Sequence, residues 1–403
     1  MNKHALLPLV LLVPLAALPL AGCQKAGGAG ALIPSQDVLA KNELAVFWEA
    51  PLPLDNETGE KVVRLERQPG RLYALTDRNR LLALDSFSGR FLWSVNLGRP
   101  GVPPSRLCQF SKVVHVALLD ALISLSIEDG RLLAARRLAR SPSTTLVTNG
   151  THLYYGTNAG WFDAEGLLAG GDSWDYCSLA AILAAPACDD VNVYFANTAG
   201  KIFVSRLGGR HILREIPISG AVVADLKRTS GGLILVASRD YTLYALNPSS
   251  LVYAWTAITG DPLEKAPQPV GDRIYLIKKG GDLLALDERT GNTVWSVAGM
   301  RDFIAASAQT LFFRTQAGEI AALSPADGAM KFTLDPGAGN LIAANEVDGQ
   351  IFGATPEGHV VALRETRIDY GDSGATTAPQ AEPAPAPATP ATAKETQKPA
   401  GGP

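Results

Sequence analysis

Few side chains in this 403-residue chain could carry chemistry, and they are scattered. The strongest nucleophiles are Cys23, Cys108, Cys177 and Cys188. None of them is adjacent to another or part of a C-x-x-C pair, and their spacing suits no metal. Beyond Cys23, at most one intramolecular bridge can form, and Cys177 and Cys188 are the nearest pair in sequence. Cysteines this scarce commonly serve as small buried apolar residues. The histidines, His4, His115, His152, His211 and His359, are isolated in sequence, and His359 follows the turn glycine Gly358. No G-x-S-x-G elbow, H-E-x-x-H pair, phosphate-binding loop or EF-hand loop is present. What does recur is an acid and an aromatic at fixed distance: Asp85 to Trp93 and Asp287 to Trp295, eight residues in each case.

Those pairs sit in one recurring phrase. Leu82-Ala83-Leu84-Asp85-Ser86-Phe87-Ser88-Gly89…Trp93 matches Leu284-Ala285-Leu286-Asp287-Glu288-Arg289-Thr290-Gly291…Trp295. A third copy runs Ala245-Leu246-Asn247…Trp255, and a fourth runs Ala322-Leu323-Ser324…Asp327-Gly328…Phe332. The aromatics Trp93, Trp174, Trp255, Trp295 and Phe332 are separated by 81, 81, 40 and 37 residues, so the unit is about forty residues long. Short apolar strands near Tyr73, Val114, Tyr154, Tyr194, Leu235, Tyr275, Phe312 and Phe352 keep the same period. Most are followed by a Gly- or Asn-bearing cluster that supplies the positive φ of a hairpin, such as Asp77-Arg78-Asn79, Asn158-Ala159-Gly160 and Lys279-Gly280-Gly281.

A forty-residue unit of four short strands is a propeller blade, and eight markers predict an all-β, eight-bladed β-propeller of four-stranded antiparallel blades. Single blades cannot bury both faces, so the ring must close. Ala45-Val46-Phe47-Trp48-Glu49-Ala50 reads as an outer strand without a blade, and the last unit, 351–364, lacks its Trp. Joining them would close the ring at Trp48 and leave no sheet open. Trp48, Trp93, Trp174, Trp255, Trp295 and Phe332 are then expected to pack blade on blade. Asp85 and Asp287 would cap the turns that Gly89 and Gly291 complete.

These residues, Ala83-Leu84-Asp85…Ser88-Gly89…Trp93 and Ala285-Leu286-Asp287…Thr290-Gly291…Trp295, resemble the pyrroloquinoline-quinone-type propeller repeat. Ala134 and Arg214 stand in the Trp register of the second and fourth units. Enzymes that bind the quinone share this repeat, but quinoprotein dehydrogenases are recognised by an adjacent cysteine pair and a calcium site, and no two cysteines are adjacent here.

The N-terminus sets the expected compartment. Lys3 and His4 precede an apolar run from Ala5 to Leu20 that is interrupted by three prolines, a pattern of secretory signals and not of spanning helices. Leu20-Ala21-Gly22-Cys23 follows and resembles the lipobox of bacterial lipoproteins, which implies acylation at Cys23 and a durable anchor. Gln24 in place of Asp favours the outer membrane by the enteric sorting rule. The expected organisation is a signal peptide at 1–22, a lipidated tether at 23–43, the propeller at 44–366 and a disordered Pro/Ala-rich tail at 367–403. The tail reads as a spacer or a docking segment.

Lipobox, length and eight blades together resemble the propeller lipoproteins of the outer-membrane β-barrel assembly machinery. The resemblance implies a non-catalytic, monomeric scaffold on the periplasmic face of that membrane, which would meet envelope proteins, among them a barrel-assembly complex. No cofactor or metal is expected. With a net charge of −3 and no basic block, neither is nucleic acid. The membrane would be met through the lipid alone. A quinoprotein-like enzyme, a small-ligand or polysaccharide-binding propeller and an envelope sensor remain as alternatives.

Overall fold

Hydrophobic patterning within each unit already sorts its strands by depth. Second strands such as Asn192–Ala196 and Ile234–Ala237 are buried at every position because a neighbouring blade covers each face. Outer strands are more exposed, and Val252–Ile258 alternates between exposed and half-buried positions, since there the blades splay apart. A computed structural model describes residues 34–368, apart from 169, 170 and 338. The expected signal segment, Cys23, the expected tether up to 33 and the expected tail from 369 lie outside the described residues.

The strands form eight four-stranded antiparallel sheets arranged in a ring, the propeller expected from the repeat. Blade 1 is Val62–Gln68, Arg71–Thr76, Arg80–Asp85 and Phe91–Asn96. Blades 2 to 7 follow in the same order, and the eight apolar markers fall in the second strands. Blade 8 is composite. Leu341–Ala343, Ile351–Ala354 and His359–Glu365 supply three strands, and Leu44–Pro51 adds the outer one. Its ladder runs from Leu44 opposite Glu365 to Pro51 opposite His359, with a bulge between Val46 and Trp48. The two ends of the ring are thus hydrogen-bonded into one sheet.

Part of the expected tether is ordered. Gln36–Lys41 is a short helix with Asp37 in its first turn and Lys41 in its last, matched to the helix dipole. Leu39 is 1% exposed, packed with Ile304, Phe312 and Leu363 between blades 7 and 8. Next to the surrounding Gly/Ala stretch, one buried leucine gives no periodic signal, which is why composition alone reads this segment as a linker.

Because each blade is an antiparallel meander, the ring has two distinct ends. The turns after the first and third strands, including the Asp85 and Asp287 turns, emerge at one end, here called the Asp-turn end. The second-to-third hairpins and the crossovers between blades emerge at the other, the crossover end.

Candidate docking face

The residues singled out by their spacing lie in the joints between blades. Trp93, Trp174, Trp255 and Trp295 stand opposite Ala83, Ala164, Ala245 and Ala285 of the third strand, and Trp48 stands opposite Ala362. The alanine leaves room for the indole to swing out toward the next blade. There each ring nitrogen donates to a backbone carbonyl: Trp48 to Ser86 at 3.2 Å, Trp93 to Ile127 at 3.1 Å, Trp174 to Leu207 at 3.4 Å, Trp255 to Glu288 at 2.8 Å and Trp295 to Pro325 at 3.1 Å. Phe332, opposite Ala322, has no such donor and is partly buried.

The turn glycine is the other half of this joint. Gly89 has φ +71°, and a Cβ on it would lie 2.5 Å from the Trp48 ring; on Gly291 it would lie 2.4 Å from Trp255. Both the left-handed backbone and the indole seat therefore require glycine. Where the aromatic is missing, its surroundings change too. Arg214 faces Val204 instead of alanine, and the matching turn position in blade 5 is Leu251. Ala134 faces Ser124. Asp85 Oδ1 accepts from the Ser88 amide and hydroxyl, both at 2.8 Å, and Asp287 Oδ1 does the same for Thr290 at 2.9 and 2.8 Å. The Thr290 hydroxyl holds the Asp287 carboxyl below its usual range.

The remaining reactive groups do not converge. Cys108, Cys177 and Cys188 are free thiols on three different strands. Burial pushes Cys108 up to about 12 and Cys188 up to about 11, which leaves both poor nucleophiles. His115, His152 and His359 belong to blades 2, 3 and 8. Among the described residues, no three His, Cys, Asp or Glu side chains come together as metal donors. Lys227, on the innermost strand of blade 5, meets Glu346, in the first turn of blade 8, at 2.7 Å, so an ion pair spans the central opening between blades three apart.

His115 gives the fold a pH dependence. Its Nδ1 lies 2.8 Å from the Ser124 hydroxyl, and burial pushes the imidazole down to about 4 from an ordinary 6.5. Between those values the unfolded chain binds a proton that the folded chain does not, so stability falls as pH drops through the window and the loss is complete below it. Asp163, pushed up to about 6 by burial, has the opposite slope between that value and 3.8. Comparing His115→Gln with the parent isolates the imidazole: denaturant titrations should show a shallower loss in the variant from pH 6.5 to 4. Parallel curves would contradict this assignment.

The feature that spacing did not reveal is at the crossover end. Leu119 is 62% exposed with φ +51°, Leu179 is 91% exposed with φ +64°, and Tyr241 is 48% exposed with φ +71°. Ile258, at the same end of the blade 5 outer strand, is 83% exposed. Left-handed backbone costs an L-residue about 1–2 kcal/mol, and an exposed apolar side chain gains nothing from folding. A signal was nevertheless present in the sequence: Tyr241 occupies the hairpin position held by Gly160, Gly200, Gly281, Gly318 and Gly358 in sister blades.

Fold and joints together define a propeller of pyrroloquinoline-quinone-type repeats. The chain is similar to BamB: the model of the family described as outer membrane protein assembly factor BamB matches residues 214–332. The crystal structure of BamB from Moraxella catarrhalis superposes with a TM-score of 0.65 at 14% identity, covering 81% of this chain and 99% of that one. The computationally designed Ika8 protein gives 0.62 at 14% identity, covering 75% and 96%. The C-terminal WD40 domain of Sif2 gives 0.61 at 12%, covering 79% and 97%. At such identities the likeness is one of fold. No curated protein matches the chain in sequence.

Proposed function

We propose that this protein is a non-catalytic, lipid-anchored scaffold on the periplasmic face of the outer membrane, docking protein partners at its crossover end, with barrel-protein assembly as the setting. The observation that carries the reading is the group of exposed apolar residues, Leu119, Leu179 and Tyr241, held in left-handed backbone at one end of a rigid ring. Strain and exposed apolar surface kept together mark functional sites. The family match on 214–332 supports the barrel-assembly setting. The lipobox-like Leu20-Ala21-Gly22-Cys23 supports the anchor.

Two experiments test the reading. Cys23→Ala should shift the protein from the membrane pellet to the soluble periplasmic fraction, and full retention in the pellet would remove the anchor. Partner capture from native membranes should fall in a Leu179→Asp, Ile258→Asp double variant with unchanged melting temperature. Capture equal to the parent's would refute docking at this end, and calcium- and quinone-dependent dye reduction would refute the non-catalytic role.

A further inference from the structure

On the crossover end above blade 2, two crossovers run on either side of the hairpin that carries Leu119. Between them lies a cavity of about 360 Å³, lined by Val102, Pro103, Arg106, Leu119, Pro142 and Thr145 among others. Its rails are fixed before any ligand arrives. The Ser105 amide donates to Ala117 O at 2.8 Å, and its hydroxyl accepts from the Ala117 amide at 2.9 Å. On the other rail the Ser143 amide donates to Gly156 O at 2.9 Å, and its hydroxyl donates to Ile182 O at 2.7 Å. Pro103, Pro104 and Pro142 stiffen both.

The walls carry two kinds of chemistry. Val102, Pro103, Leu119 and Pro142 are apolar, and Leu119 is pushed outward by its left-handed backbone. Arg106 and Arg99, on the same crossover, are exposed and have no acidic partner among the described residues, although the chain as a whole carries −3. An uncompensated guanidinium beside an apolar trough fits a carboxylate attached to apolar side chains. A sugar would use an aromatic platform, and none lines this trough.

We propose that the trough on blade 2 binds an extended segment of a partner protein that is both acidic and apolar, with Arg106 taking a carboxylate and Leu119 packing on a neighbouring apolar side chain. The proposal rests on the crossover end being the docking face. A fluorescein-labelled octapeptide of Glu, Leu and Ser, with blocked ends, is titrated onto the full chain and followed by anisotropy. Arg106→Ala should weaken binding by about tenfold. Leu119→Gly should weaken it at least severalfold while the melting temperature holds or rises, because glycine accepts φ +51° without strain. That opposition separates binding from folding damage. Unchanged affinity in both variants would overturn the proposal, as would equal binding of a Lys, Leu and Ser octapeptide or full displacement by inorganic phosphate. If partner capture is lost in the Leu179→Asp, Ile258→Asp variant while Arg106→Ala and Leu119→Gly leave it intact, the docking face stands and the trough falls.

Discussion

Replacing Trp295 by alanine should lower the unfolding free energy by about 3–5 kcal/mol, the usual effect of emptying a large buried aromatic site. The indole is 9% exposed, sits opposite Ala285 and donates to Pro325 O across the joint to blade 7. Three losses coincide: apolar burial, a cross-blade hydrogen bond, and a void that the rigid strands on both sides cannot collapse to fill. Gly328→Ala attacks the same joint from the other side, since its Cβ would lie 2.6 Å from the Trp295 ring and its φ is +72°. Because both changes break one contact, a double-mutant cycle should show the pair costing clearly less than the sum of the singles. An unaltered melting temperature in Trp295→Ala would mean that the joint is held by something else, and would reopen a ligand role for the aromatic register.

Deleting 44–54 should leave a chain that aggregates or fails to fold. The deletion removes the outer strand of blade 8, whose ladder spans Leu44 to Pro51, and with it the Trp48 indole that rests on Gly89. It also frees the edge of His359–Glu365, a strand otherwise paired on both sides. Removing 369–403 should change the melting temperature little, because Ala, Pro and Thr supply scant apolar surface to bury. Thermal melts of the two truncations side by side decide the matter. Equal tolerance of both would show that the ladder between chain ends does not close the ring.

The fold was readable from sequence because a propeller writes one constraint eight times. Trp93 and Trp295 disclose a period, and the Gly89 and Gly291 turns disclose where the third strand ends. The N-terminal strand was legible from an imbalance: Phe47-Trp48 had no blade and 351–364 had no Trp. What the repeat could not disclose was anything that occurs once. Leu39 is a single buried residue in an unperiodic segment. Leu119 and Leu179 look like ordinary leucines until the backbone assigns them positive φ. Tyr241 was the exception, an aromatic at a position where five sister hairpins have glycine. The Arg106 trough is harder still to read, since its rails come from crossovers that share no phrase. Repetition therefore reveals the scaffold, while the candidate site lies in the departures from it.

The most direct test of the docking claim is site-specific photocrosslinking in native membranes. A benzophenone amino acid is placed at Leu119 or Leu179 on the crossover end, and at Glu128 or Ser249, both exposed, on the Asp-turn end. Docking at the crossover end predicts discrete protein adducts from the first pair and none from the second. Adducts from the Asp-turn end alone would contradict it.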